Sequence, residues 1–293
     1  MRFATFESDG VATLGVVRAG RWIEPIPPGA GHPTGMLELT SGAQAWRSYL
    51  EDLAESGSPN SRPLDSVRLL APLQDPGKIV AICLNYLDHA AESKAAVPDE
   101  PLVFTKFGSS IIGPGAAITW DPRLTQAVDY EAELAVVIGR RARHVSPADA
   151  LDHVFGYTCL NDVSARDLQF ADGQWVRGKS LDSFCPLGPV IVTADEVGDP
   201  QQLRIGCRIG DETMQDATTA DMIFGVAELI ARLSRSFTLE PGDIIATGTP
   251  PGVGYFRAPQ RLLQDGDMVT VWIDGIGELT NPVLESPATT EPG

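Results

Sequence analysis

Asp129-Tyr-Glu-Ala-Glu-Leu-Ala-Val-Val-Ile-Gly139 is the stretch on which the fold turns. Its second half, Leu134 to Ile138, is an unbroken apolar run closed by a glycine. Short, β-branched and stopped by Gly139, it predicts a buried strand. Glu131 and Glu133 stand at the entrance to that strand, two residues apart, so the period of two puts both carboxylates on one face. Side by side they repel, and burying them without a partner is costly. A divalent cation with a preference for oxygen ligands, Mg²⁺, Mn²⁺ or Ca²⁺, would resolve the conflict. The ordinary alternative is a solvated acidic edge. Asp129 shares the same face by the same rule, as a group supporting the ligands more than as a ligand itself.

Outward from this strand, the 293 residues carry a formal charge of −17 with no block of Lys or Arg. Such a surface argues against nucleic acid and acidic membranes as partners and leaves room for a small anionic substrate, because a metal and a few cations reverse the field locally. Cys83, Cys159, Cys185 and Cys207 have no CxxC spacing, which suits a reduced compartment and gives no zinc signature. The N-terminus lacks an apolar signal core, and no run of eighteen apolar residues occurs, so a soluble, non-secreted, cytoplasmic protein is expected.

Glycine and proline breaks and short alternating bursts predict a β-rich chain. Residues 1 to about 27 read as a small antiparallel sheet of hairpins, broken at Asp9-Gly10 and Ala19-Gly20. Met36 to Leu53 has helical spacing at Trp46, Leu50 and Leu53. The breaker cluster Glu55 to Pro63 precedes a new strand at Lys78–Ile82. This predicts a small N-terminal β-rich domain over 1–72, a catalytic domain over 73–284 and a flexible tail over 285–293. Further strands are read at 102–107, 156–162, 190–193, 203–209, 243–246, 268–273 and 277–283. Helices are read at 163–169 and at about 224–234, the latter with a cap within Thr218 to Asp221.

Several residues on these elements could carry chemistry. His89 and Glu92 are three apart and share a face in a helical turn, where the carboxylate would orient the ring and raise its basicity. Asp162 ends a strand as either a helix N-cap or a third oxygen ligand. Arg166 and Gln169 are three apart on the next predicted helix; the arginine suits a carboxylate, or a surface ion pair. Lys179 lies in a loop of small residues without the P-loop framework, as an anion contact or a solvated lysine. The glycine-rich loop Thr247 to Gly254 follows a strand and exposes backbone N–H groups to a ligand.

Taken together, the ordered motifs resemble the fumarylacetoacetate hydrolase superfamily, in particular longer bacterial members with a small N-terminal domain. They are NYLDHAAE, FTKF, DYEAELAVVIG, GYTCLNDVSARDLQ, GKSLDSFCPLGP, LEPGDIIATGTPPGVG and GELTNPV, covering residues 68 to 283. The resemblance implies an α+β, mainly β fold: a mixed β-sandwich roll, often dimeric, so a homodimer is expected. It implies Glu131, Glu133 and Asp162 as ligands of Mg²⁺ or Mn²⁺, with Ca²⁺ able to take the same site. His89 and Glu92 would be a water-activating dyad on a lid, with Lys179 as a third catalytic group. Arg166, Gln169, Gly248 and Thr249 would contact a small anionic 2-oxo acid. Cys83 and Gly108 depart from the residues usual in such relatives, glycine and proline.

The chemistry implied is cleavage of the C3–C4 bond of a 2,4-dioxo acid of the acylpyruvate type, with pyruvate leaving as a metal-bound enolate. Lys179 and the N–H groups of the glycine-rich loop would balance the developing negative charge. The same enolate serves a 2-hydroxyhepta-2,4-diene-1,7-dioate-type isomerase or an oxaloacetate decarboxylase, and these are the alternatives. A protein that binds metal and keto acid without turnover is the rival outside enzymology. The HxxE pair tilts the expectation to the hydrolase, because an isomerase needs no activated water.

Overall fold

The computed structural model describes residues 1–27, 29 and 31–286. The tail expected after Leu284 therefore lies, from residue 287 on, outside the described residues. The strand read from Leu134 to Ile138 runs over Ala132–Ile138, and every residue in it is buried. Both faces are covered: Leu134, Val136 and Ile138 join one hydrophobic cluster, and Ala135 and Val137 the other. This two-sided burial is why its sequence from Leu134 onward is apolar throughout and does not alternate.

That strand sits inside a twelve-stranded mixed sheet. It pairs antiparallel with Val154–Asn161 on one side and Ile244–Ala246 on the other. Ile244–Ala246 then pairs in parallel with Ile79–Cys83, and Leu102–Thr105 forms the edge. On the opposite side, Val154–Asn161 pairs with Cys185–Thr193, which pairs in turn with the N-terminal strand Arg2–Ser8. Residues 2–25 form the expected hairpins, and through the Phe3↔Ile191 register they continue the sheet that carries the acidic residues. A five-stranded sheet, ordered Glu212–Thr218, Arg204–Ile209, Met268–Ile273, Gly277–Glu285 and Ile118–Trp120, makes the second layer. The result is the mainly β, α+β architecture expected.

Three local expectations need correction. The helix read from Val163 begins at Arg166, because Ser164 and Ala165 pair with Asp129 and Val128 and so are held extended. The 224–234 helix spans Val226–Ser236; its first amide donates to Gln201 Oε1 at 2.7 Å, while Thr218 caps only the short turn at Thr219. Lys179 closes a single helical turn, Val176–Lys179, and is buried. No helix among the described residues is long and apolar enough to cross a membrane.

Candidate active site

Strand register assembles the acidic centre. Ala132 lies opposite Asn161 and Glu133 opposite Leu160, so the residue after Asn161 comes level with Glu131. The Asp162 amide donates to the Glu131 carbonyl at 2.9 Å, and Asn161 Oδ1 accepts from the Glu131 amide at 3.0 Å. As a result, carboxylate oxygens of Glu131, Glu133 and Asp162 lie within 4.8 Å of one another, all three residues buried. Asp162 is thus a member of this cluster and not the cap of the following helix.

Three cations are packed into the same cluster. Lys179 Nζ bridges Glu131 Oε2 at 2.8 Å and Asp162 Oδ2 at 2.6 Å. Lys106 Nζ reaches Asp162 Oδ1 at 2.6 Å and is also held by the Val163 and Lys179 carbonyls. Arg166 Nη1 lies 2.7 Å from Glu131 Oε1 and donates to Gln169 Oε1, while its Nε donates to Asp129 Oδ2 at 2.9 Å. Asp129 further accepts from the amides of Tyr130, Gly254 and Tyr255. It therefore fixes Arg166 and stands outside the ligand set.

The charges do not balance evenly across the carboxylates. Burial disfavours an ionised Glu131, but Lys179 and Arg166 outweigh it and hold this carboxyl below the usual range. Lys179 likewise keeps its proton: burial works against the ammonium, and Asp162 and Glu131 more than compensate. Glu133 goes the other way. Burial, then the charges of Asp162 and Glu131, push it well above the ordinary carboxylate value. Four carboxylates share three cations, so the cluster is one positive charge short, and the shortage falls on Glu133. A divalent ion fits this donor set. All three candidate ligands are hard carboxylate oxygens, no thiolate or imidazole belongs to the cluster, and the deficit is cationic.

His89 stands on the turn Leu87–Glu92 above this centre. The chain enters that turn through Leu84, whose φ of 52° bends it sharply away from the Ile79–Cys83 strand. Asn85 ties the bend down, donating to the Phe224 and Thr247 carbonyls and accepting from the Phe224 amide. His89 Nδ1 lies 3.2 Å from Glu92 Oε2, and Glu92 is itself held by the Gly252 amide at 3.1 Å. The dyad is therefore latched onto the glycine-rich loop. That loop also serves the acidic centre, since the Gly248 amide donates to Glu133 Oε2 at 2.9 Å and so is not open to a substrate. At Gly248, with φ 95°, a Cβ would come within 2.8 Å of Asn85, so only glycine lets the loop approach this closely. Thr249 is buried, its hydroxyl accepting from Gln215 Nε2 at 2.8 Å.

His89, Glu131, Arg166, Gln169, Lys179 and Thr249 all line one cavity of about 270 Å³, whose remaining wall includes the rings of Phe104, Phe170, Trp175 and Phe256. Cys83 also lines it; burial, outweighing the pull of Lys179, pushes its thiol up to about 12, so it is no nucleophile at neutral pH. Around Gly108 a Cβ would meet nothing within 4 Å, so that departure has no steric effect on the pocket.

Two residues of this site went unassigned in the sequence. Lys106 is a lone lysine beside an apolar strand, a signal available in FTKF, whereas nothing around Gln215 marks it. Gln215 accepts from the Ala132 amide and donates to Thr249 and to the Pro250 carbonyl, joining the acidic strand to the glycine-rich loop.

A mixed β roll thus carries, beside a His–Glu pair, a buried carboxylate triad whose oxygens are the donors a hard divalent cation takes. Residues 78–284 match the model of the fumarylacetoacetate (FAA) hydrolase C-terminal domain, and the chain belongs to that family. Among curated relatives it is 48% identical over 221 residues to the mitochondrial oxaloacetate tautomerase fahd2 of Xenopus laevis, covering 75% of this chain and 69% of the relative. It is 42% identical to the oxaloacetate tautomerase YisK of Bacillus subtilis, covering 86% and 87%. Among solved structures, a fumarylacetoacetate hydrolase from Exiguobacterium antarcticum superposes with a TM-score of 0.86 at 42% identity, over 98% of this chain and 100% of the other. The maleylpyruvate hydrolase of Sphingobium sp. SYK-6, solved with manganese(II) and pyruvate, gives 0.80 at 34% identity over the same shares.

Proposed function

We propose that this protein interconverts the enol and keto forms of oxaloacetate or a close 2-oxo acid, using a divalent cation held by Glu131, Glu133 and Asp162. The observation that carries this reading is the buried His89, oriented by Glu92 and lining the same pocket as Glu131, the member of the carboxylate triad that faces it. The names of relatives at 42–48% identity support keto–enol chemistry ahead of the C3–C4 cleavage expected from the family resemblance and the dyad. When bound, a cation such as Mg²⁺ or Mn²⁺ supplies Lewis-acid polarisation of the substrate's oxygens.

The protein's own residues do the rest. In the enol-to-keto direction C3 gains a proton and the enol oxygen loses one, so no co-reactant is consumed. His89 delivers or removes the proton at C3, and Glu92, 3.2 Å from Nδ1, holds the ring so that Nε2 does so. Lys179 and Arg166 keep Glu131 ionised, and Lys179 and Lys106 fix Asp162 in place. Thr249, whose oxygen already accepts from Gln215, turns its own O–H outward as a donor to the substrate carboxylate. The aromatic wall excludes water from the reacting centre.

The test follows decay of the enol absorbance of oxaloacetate with Mn²⁺ and with excess chelator. Chelator-sensitive acceleration is expected, and its absence overturns the reading. Hydrolysis of an acylpyruvate is the second reading, because the same dyad can deprotonate water and because the maleylpyruvate hydrolase neighbour performs a reaction of that kind by name. Pyruvate release from acylpyruvates without enol decay would put it first.

A further inference from the structure

We infer that the outer half of the pocket takes 2-oxo acids bearing a planar apolar group at C3, aryl-substituted pyruvates above all. The inference rests on the keto–enol reading and adds the class of side chain the site accepts. The pocket has two unlike ends. At the inner end every cation is already matched: Lys179 by Glu131 and Asp162, Lys106 by Asp162, Arg166 by Asp129 and Glu131.

The rest of the lining is uncharged: four rings, Phe104, Phe170, Trp175 and Phe256, among aliphatic and small residues, with Phe104 bordering the charged end, its ring 5.2 Å from Lys179 Nζ. The rings form two groups. Phe104 meets Trp175 edge-on at 5.7 Å and 75°. Phe256 lies 6.2 Å from the His89 ring and packs against Tyr255, which in turn packs against Phe170 at 5.2 Å. Phe170 remains 52% exposed, a large ring without full cover.

A second carboxylate, as in oxaloacetate, finds no unmatched cation along this wall, and placing it among rings carries a desolvation cost. An aryl group on C3 instead gains edge and face contacts there. The position is also the right one chemically. His89 serves C3 and stands beside Phe256, so a ring attached to C3 falls next to the aromatic wall. The reaction is unchanged: one C–H bond and one O–H bond exchange places, with no co-reactant.

The experiment compares ketonisation of the enols of phenylpyruvate and oxaloacetate by the full chain with Mn²⁺, in wild type and in Phe170→Ala, a truncation at an exposed ring. We expect kcat/KM for phenylpyruvate to equal or exceed that for oxaloacetate, and Phe170→Ala to lower the phenylpyruvate value roughly tenfold relative to oxaloacetate. The non-enolisable acids 3-methyl-2-oxo-3-phenylbutanoate and 3,3-dimethyl-2-oxobutanoate, which have no C3 hydrogen, give a readout apart from turnover: the acid with the C3 aryl group should inhibit at the lower concentration. Acceleration of oxaloacetate with phenylpyruvate at less than a tenth of its kcat/KM overturns the inference and leaves the keto–enol reading standing. So does an equal loss on both substrates in Phe170→Ala, or equal inhibition by the two non-enolisable acids. Acceleration of neither enol overturns the keto–enol reading itself.

Discussion

Glu24 and Glu133 each bury a carboxylate in a strand, at 0% and 1% exposure, in the N-terminal hairpins and the acidic centre respectively. Glu24 accepts from Arg18 Nε at 2.9 Å, from the Ser58 amide at 2.9 Å, and from the hydroxyls of Ser58 and Ser61. Burial pushes its carboxyl up, and Ser61, Arg18 and Ser58 together bring it below the usual value. Glu133 has a single hydrogen-bond donor among the described residues, the Gly248 amide, and two carboxylates beside it that raise it further. A buried carboxylate surrounded by donors holds a fold together. One left short of positive charge beside two other carboxylates is the one we propose as a cation ligand.

The largest effect expected is at the acidic centre. Glu131→Ala should lower metal-dependent kcat/KM by ~10²–10³-fold or more, with circular dichroism unchanged. Full activity in that variant would dissolve the contrast with Glu24. His89→Ala should cost a similar ~10²–10⁴-fold in turnover while sparing Mn²⁺ affinity, because His89 lies outside the ligand set. Unchanged turnover would remove His89 from the chemistry.

Glu24→Gln should do the opposite. Losing a charged acceptor for several donors should cost about 1.5–3 kcal/mol of stability, read from denaturant midpoints, with Mn²⁺ affinity and kcat per folded molecule intact. A smaller effect is expected at Gln215→Leu. Freeing the Thr249 hydroxyl from one hydrogen bond should raise KM roughly fivefold and leave metal binding alone.

How much of this could be read in the chain follows from how local each signal is. Glu131 and Glu133 are visible because a strand's period of two puts neighbours on one face, and His89 with Glu92 because a helical turn does the same over three residues. Asp162 could be located at a strand end, but its choice between cap and ligand needed the register with Asn161. Lys106 meets Asp162 across 56 residues, and Gln215 meets Ala132 across 83, with no periodic pattern linking either pair. Likewise the hairpins of the N-terminus were legible, whereas their joining to Cys185–Thr193 through Phe3 and Ile191 is a pairing over most of the chain's length.

The pH dependence separates the two carboxylates most finely. A carboxyl raised by folding holds its proton in the native state after the unfolded chain, with an ordinary value of about 4.3, has lost its own. Stability from that group is present at lower pH and falls as pH rises toward the native value. Without metal, Glu133→Gln should therefore gain stability relative to wild type as pH rises above the ordinary carboxylate range. Glu24 is lowered, so its contribution is present above that range and lost as pH falls below it.

Calorimetric titration of Mn²⁺ into wild type and Glu133→Gln, in buffers of different ionisation enthalpy, tests the central claim most directly. A cation that displaces the proton of Glu133 should release about one proton per ion in wild type, bind more tightly as pH rises, and bind Glu133→Gln weakly with no such release. Equal affinity in both proteins, with no proton released by either, would contradict the assignment of Glu133 and its neighbours as the metal site.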